Sequence, residues 1–460
     1  MTISISPRLA CLAGAAVAML AGCGASSELA PAGAVHSAAQ GMSPDAHPPT
    51  HVIYRFRGGS DGSGLYGSLV AENGALYGTT FGGGIGGSGY GNGTVFKMSS
   101  SGAKTILYAF QGGSDGANPQ DGLNAGSGGI LYGDTDYGGG SASCPAGCGV
   151  VYEMLPSGSG YSEKVIYAFA GGADGALPLS GLLVDHSGAI YGVTVDGGGS
   201  AACTDPSGVT GCGTAFKLTP SGSGFSESVL YRFQGGNDGA GPRGTLIEDG
   251  SGALYGTTLA GGGSSACTSP SGDSGCGTVF KLTPSSSGYS ESILYSFQGG
   301  SDGWYPRAAL VAGSGGALVG ATLHGGTYGA NNLGTIFKLT PSGSSYAKQT
   351  LFSFNGADGA LPFDENGLIA DGHGNLYGTT SVGGRVARGQ CFCGVVFKLA
   401  PSGSGYSESV LYKFQGTRAH DGVQPRAALT MDSSGELYGV TTVGGLVKNG
   451  GYGTVFKLAP

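Results

Sequence analysis

The chain repeats itself seven times after residue 50. A Leu-Tyr-Gly-like core places Tyr77, Tyr132, Tyr191, Tyr255, Val319, Tyr377 and Tyr438 at spacings of 55, 59, 64, 64, 58 and 61 residues. A Gly-(Thr/Val)-x-aromatic mark puts Phe96, Tyr152, Phe216, Phe280, Phe337, Phe397 and Phe456 at a second station. Asp-Gly recurs at Asp61, Asp115, Asp174, Asp238, Asp302, Asp358 and Asp421. An aromatic-x-Phe mark ends at Phe56, Phe110, Phe169, Phe233, Phe297, Phe354 and Phe414. Each repeat contains four short β-prone runs separated by turn residues. In the fourth they are Thr245–Glu248, Ala253–Thr258, Gly277–Leu282 and Ser292–Phe297. Four strands in a repeat of this length predict an all-β fold, a seven-bladed β-propeller of four-stranded blades. A parallel β-helix has shorter coils and no need of four hairpin-like turns per unit.

Composition removes the other classes. Of 460 residues, 98 are glycine, and they cluster as pairs and triplets rather than at every third position, which excludes collagen. The chain is 40% hydrophobic with a net charge of −8, so ordinary disorder is excluded too. Glycine in a helix interior costs up to ~1 kcal/mol relative to alanine, which argues against a helical bundle. Lys and Arg number 21 and form no stripe or cluster, so neither nucleic acid nor an anionic membrane surface is an expected partner.

The phase of the repeat bears on closure. The stretch after Asp-Gly-x-x-Pro is innermost strand A, Leu-Tyr-Gly-Thr-Thr strand B, Gly-Thr-Val-Phe-Lys-Leu strand C, and Leu-Tyr-x-Phe outermost strand D. The repeats begin with a D strand, Val52–Phe56, and end just after a C strand. Val52–Phe56 is therefore expected to complete the blade built from Pro425–Leu458, leaving no open sheet edge.

These marks resemble the GloVer (Gloeo/Verruco) tandem-repeat family. Its motif looks like LYGTT–GG–GTVFKLTPSG–LYSF, which Tyr255 to Phe297 nearly spells out. The resemblance covers residues 51–460 and implies an exported bacterial propeller-like protein with varied anchoring. It implies no particular activity.

Residues 1–22 read as an export signal. Arg8 precedes an apolar stretch, Leu9 to Leu20, that is too short to span a bilayer. Leu20-Ala21-Gly22-Cys23 resembles the lipobox of bacterial lipoproteins, which implies lipidation of Cys23. Gly24, in place of an acidic residue, points to the outer membrane or cell surface; a plain secretory signal, with a periplasmic or secreted protein, is the alternative. Residues 23–50 are rich in Ala, Ser and Pro and read as a flexible tether. The eight cysteines of the repeats form local couples: Cys144/Cys148, Cys203/Cys212, Cys267/Cys276 and Cys391/Cys393. In an exported chain they read as disulfides rather than zinc ligands, and Cys391/Cys393 would close the most strained ring.

Site candidates gather where strand A begins. Arg243, Arg307 and Arg426 each follow the opening proline, and Asp121, Asp364 and Glu365 hold similar stations in other blades. The sixth blade carries two extra residues here. This mixed-charge rim is the expected ligand site, with cross-blade ion pairing as the alternative. Trp304 and Tyr305 form an aromatic pair suited to stacking on a sugar or to packing on a neighbouring blade. His324 and His420 map to the same face and offer acid–base chemistry. The seven Asp read as turn formers rather than calcium ligands. The recurring Lys97, Lys217, Lys281, Lys338, Lys398 and Lys457 read as structural.

The expectation is a monomeric, lipid-anchored envelope propeller that binds a glycan, a peptide or an envelope protein, with no cofactor and no metal. A polysaccharide hydrolase or lyase is the alternative. It would use two carboxylates among Asp121, Asp364 and Glu365, supported by His324 or His420. A structural envelope or matrix protein is the third reading.

Overall fold

The computed structural model describes residues 51–84, 91–158, 160–206, 208–328, 332–343, 345–362, 367–384, 393–403, 405–416, 420–445 and 451–460. The export signal, Cys23, the tether, Asp364, Glu365 and Cys391 lie outside the described residues. The structure is a seven-bladed β-propeller. Each of its seven sheets has four antiparallel strands. In the fourth blade the strands are Ala240–Glu248, Leu254–Ala260, Thr278–Ser285 and Gly288–Ser296. Strands C and D run further than the sequence pattern suggested. The Pro-Ser-Ser-Ser-Gly segment is a tight hairpin, and pairing continues through it to Ser285↔Gly288. Strand A is shorter elsewhere, reduced to Asn124–Ala125 or Leu183–Val184 in neighbouring blades.

The repeat motif follows from how blades stack. The C-strand aromatic lies across the glycine of Leu-Tyr-Gly on the adjacent strand. A Cβ at Gly256 would sit 2.5 Å from Cζ of Phe280, and one at Gly439 would sit 2.4 Å from Cζ of Phe456. That glycine is needed for space, not for a turn. Each buried C-strand ring then receives, edge-on, the D-strand phenylalanine of the preceding blade. Phe233 meets Phe280 at 5.0 Å between ring centroids, and Phe414 meets Phe456 at 5.1 Å.

The Asp-Gly residues build turns, as expected. Asp302 accepts hydrogen bonds from the Tyr295 hydroxyl and the Gln298 N–H, both at 2.8 Å. The same pair of bonds recurs at Asp61, Asp115, Asp174, Asp238 and Asp421. The recurring lysines are structural as well. Lys281 lies 5.1 Å above the Tyr255 ring, and in the second blade Glu153 instead pairs with Lys164 at 2.8 Å.

The N-terminal strand closes the ring. His51–Arg55 pairs antiparallel with Thr454–Leu458, with His51 opposite Lys457 and Arg55 opposite Thr454. Phe56 then packs on Phe96 of the first blade at 5.4 Å. Cys144–Cys148, Cys203–Cys212 and Cys267–Cys276 are disulfides, and Cys393 is also disulfide-bonded. The bonds fit an oxidising, non-cytoplasmic compartment. Among the described residues no helix is long and apolar enough to cross a membrane.

Phe56→Ala should cost ~3–5 kcal/mol, because it empties a fully buried ring site at the closure. Deleting residues 51–57 should lower the melting temperature further still. Thermal unfolding followed by circular dichroism reads both, and an unchanged melt for the deletion would refute closure by this strand.

Candidate functional site

The site begins with a backbone device. The residue before each A-strand proline station is left-handed: Gly64, Asn118, Leu177, Gly241, Tyr305, Leu361 and Gln424 have φ between 54° and 68°. Side chains other than glycine or asparagine resist this conformation, at roughly 1–3 kcal/mol. The geometry is held from the preceding blade. The N–H of Leu177 donates to the Cys148 carbonyl at 2.9 Å, and that of Tyr305 to the Cys276 carbonyl at 3.0 Å. These acceptors lie at the ends of the disulfide loops, so the bridges help to brace them. The D–A and B–C loops also pair with each other, as at Ala176↔Asp196 and Trp304↔His324. Both loops therefore frame one face of the ring.

Two residues on from the left-handed position for Arg243, Arg307 and Arg426, and three for Asp121, side chains converge on the central axis. Arg307 of the fifth blade interacts electrostatically with Arg243 of the fourth, Arg426 of the seventh and Asp121 of the second. Only groups at the axis can be felt across so many blades. Asp121 is joined there by two residues that sequence reasoning missed, Asp134 and Asp136. The three are 2%, 2% and 4% exposed. At the Asp134 station the other blades carry Thr79, Val193, Thr257, Ala321, Thr379 and Val440. Asp121 and Asp134 each keep one oxygen, Oδ2, without a hydrogen-bond partner, and Asp136 likewise keeps Oδ1. The Tyr152 hydroxyl, which replaces a phenylalanine edge, is also buried and unpartnered.

Burial dominates the electrostatics. It pushes the Asp121 carboxyl up to about 7, against the opposing pull of Arg243 and Arg307. Asp134 is held well above the usual carboxylate range by burial, then by Asp121 and Asp136. Asp136 is raised by burial and Asp121, with Arg243 opposing. Asp196 of the third blade is raised to about 7 by burial and Asp205, again against Arg243. Burial in turn lowers Arg243, and Asp196, Asp121 and Asp136 resist that shift. The cluster thus sets carboxyls raised by burial opposite guanidinium groups. Arg426 continues the rim toward the first blade, 6.0 Å above the Tyr66 ring.

The remaining sequence candidates are placed differently. An exposed Trp304–Tyr305 pair was one expectation, but Tyr305 is only 8% exposed and its hydroxyl bonds to the Thr268 carbonyl. The left-handed backbone turns that ring onto the Cys267–Cys276 loop, away from solvent. Trp304 is half-buried and stacks on His324 at 5.3 Å. Burial lowers the His324 pKa, and Arg307 lowers it further. His420 stands beside Asp421 in the D–A loop, where its carbonyl accepts a bond from Arg55 Nε at 2.9 Å. The structure therefore joins Asp121 with Arg243, Arg307 and Arg426, sets His324 beside Arg307, and shows no link from His420 to that group.

Comparison with known proteins gives a family but no ligand. The family described as Gloeobacter/Verrucomicrobia repeat matches residues 36–262 and 266–460. No curated protein sequence matches. Among solved structures, a putative 6-phosphogluconolactonase from Bacteroides uniformis is 12% identical over 80% of this chain and 89% of its own, with a TM-score of 0.49. One from Bacteroides fragilis is 13% identical over 80% and 88%, with a TM-score of 0.47. A putative oxidoreductase (glucose dehydrogenase) from Thermus thermophilus is 13% identical over 89% and 99%, with a TM-score of 0.40.

The raised carboxyls make stability fall with pH. A folded state that keeps a proton the unfolded chain releases is favoured below the unfolded pKa near 4. That advantage is lost as pH rises through the folded value, about 7 for Asp121. Asp121→Asn should remove this loss, worth up to ~4 kcal/mol between those limits. Melts at pH 5 and pH 8 should show a smaller drop in the variant, and an equal drop would contradict the assignment.

Proposed function

The chain belongs to the Gloeobacter/Verrucomicrobia repeat family, and from that premise we propose that it is an exported, lipid-anchored propeller that binds a small polar ligand, above all a glycan, at the mouth of its central channel. The observation that carries this reading is the meeting of Arg243, Arg307 and Arg426 with the buried Asp121, Asp134 and Asp136 across one axis. Seven near-identical blades have no structural need for such a cluster. Unpartnered buried carboxyl oxygens cost ~1–3 kcal/mol each, and a ligand rich in hydroxyl groups would satisfy them. Guanidinium forks opposite them would accept bonds from no ligand but donate to its oxygens. The half-buried Trp304 adds an apolar surface beside the Arg307 station. Export is supported by the disulfides, and anchoring at the outer membrane or cell surface by the Cys23 lipobox.

One observation favours a second reading, a hydrolase or lyase acting on polysaccharide. Burial raises the Asp121 carboxyl to about 7, the direction a general acid needs.

A glycan-array screen followed by calorimetry tests the proposal. Arg307→Ala should weaken binding at least tenfold, since it removes a charged hydrogen-bonding group from a desolvated site. Incubation with a bound polysaccharide separates the two readings, because only a hydrolase or lyase would release shorter chains, and Asp121→Asn should abolish that release. Absence of any bound glycan would shift the reading to a peptide or envelope-protein partner.

A further inference from the structure

A second set of charges lies on the outer seams between blades. Six residues before the D-strand phenylalanine, six of the blades carry Lys104, Glu163, Glu227, Glu291, Lys348 and Glu408. The residue at this station in the closing strand is 50, outside the described residues. All six hold one register position, opposite Met98, Met154, Leu218, Leu282, Leu339 and Leu399 of the adjoining C strands. A shared register aims the six side chains at one kind of place.

Two seams show what that place is. Lys104 Nζ lies 2.8 Å from Asp61 Oδ1, and Lys348 Nζ lies 2.9 Å from Asp302 Oδ1. Each lysine also donates to the backbone carbonyl of the same aspartate. The aspartates in turn accept the hydroxyls of Tyr54 and Tyr295, which stand on the D strand of the preceding blade. The residue at this station therefore ties its own D strand to its neighbour's through the Asp-Gly turn.

In four seams the tie lacks its donor. Glu163, Glu227, Glu291 and Glu408 stand where the lysines do, facing Asp115, Asp174, Asp238 and Asp358. Each glutamate buries one oxygen, Oε1, with no hydrogen-bond partner. The aspartates keep their turn bonds: Tyr108, Tyr167 and Tyr231 donate to the first three, and the Asn355 N–H donates to Asp358. Ionised carboxylates only accept, so two of them face to face cannot bond to each other. One proton turns such a pair into a charge-assisted O–H···O bond, which is roughly twice as strong as a neutral one. We propose that these four seams are proton clamps, in which the glutamic acid donates to the facing aspartate and ties neighbouring D strands in acid, then releases them as the medium turns alkaline.

The surroundings of each glutamate support the clamp. Burial, then the facing aspartate, lifts each of the four to about 7. The other facing groups are Tyr108 and Tyr152 at Glu163, Tyr167 and Arg232 at Glu227, Tyr231 at Glu291, and Lys413 at Glu408. Arg232 and Lys413 oppose the rise without cancelling it. In the unfolded chain a glutamate releases its proton near ~4.3. The clamps therefore stabilise in full below that value, and their contribution is lost as pH rises through about 7. Lys104 and Lys348 bring their own donors, so the first and fifth blades are tied without this proton.

The test reads the proton and the stability separately, on the full-length protein. Infrared difference spectra between wild type and E163Q/E227Q/E291Q/E408Q should show a protonated carboxyl band at pH 6 that is lost by pH 9. Thermal melts at pH 5.5 and pH 8.5 should show a wild-type drop that shrinks in the fourfold variant, because glutamine donates at either pH. The axis carboxyls add to the same drop, so the comparison is repeated in an Asp121→Asn background, where the fourfold change should shrink the drop again. Lys348→Met should lower the melt equally at both pH values. E291Q alone should remove one of the four protons from the band, and it serves should the fourfold variant fail to fold. No carboxyl band in either difference spectrum would overturn the proposal. An equal drop in wild type and the fourfold variant would overturn it as well.

Discussion

The ring stands on one contact, the edge of a D-strand phenylalanine against the C-strand aromatic of the next blade. It recurs between every pair of neighbours, from Phe56–Phe96 round to Phe414–Phe456. Each such pair contributes ~0.5–1.5 kcal/mol beyond its area burial. The contact dictates much of the repeat. The glycine of Leu-Tyr-Gly makes room for the C-strand ring, and aromatic-x-Phe supplies the ring that covers it. No blade can bury its own C-strand aromatic, so each depends on its neighbour, and the first depends on the strand that closes the circle.

That dependence explains why so much of the fold was legible. The marks are short, local and repeated, and the phase of the last repeat shows which strand is missing. Arg243, Arg307, Arg426 and Asp121 could be found because a proline fixes their register. Asp134 and Asp136 could not, because Leu-Tyr-Gly-Asp-Thr-Asp reads as a polar variant of a strand end. Their burial appears only when distant blades meet at the axis. The signal was present in the blade alignment, where uncharged residues at both stations give way to aspartate at one blade alone. Tyr305 follows the packing alternative for a local reason: its left-handed backbone, which four blades impose on a residue other than glycine or asparagine, turns the ring inward.

Uniform blades make departures informative. The second blade replaces phenylalanine with Tyr152, lysine with Glu153, and two neutral positions with Asp134 and Asp136. Each change works against stability, since it buries a polar group or a charge. A fold whose other blades obey one rule can tolerate this in a single blade, and such departures concentrate where function lies.

The outer seams bear on how the ring carries that cost. Lysine seams lie at the closure, where Lys104 spans from the first blade to the closing strand's loop, and between the fourth and fifth blades at Lys348. They divide the ring into arcs of four and three blades. At the closure the buried Lys104–Asp61 pair ties the seam whose opening would undo the circle. The glutamate seams fall within the arcs, and two of them, Glu163–Asp115 and Glu227–Asp174, flank the second blade on both sides. The blade with the most unsatisfied buried groups at the axis is thus the one whose rim carries a glutamate–aspartate pair on either side. Burial and the facing aspartate raise both glutamates, so a proton held in each pair relieves like-charge repulsion between the D strands of this blade and its neighbours.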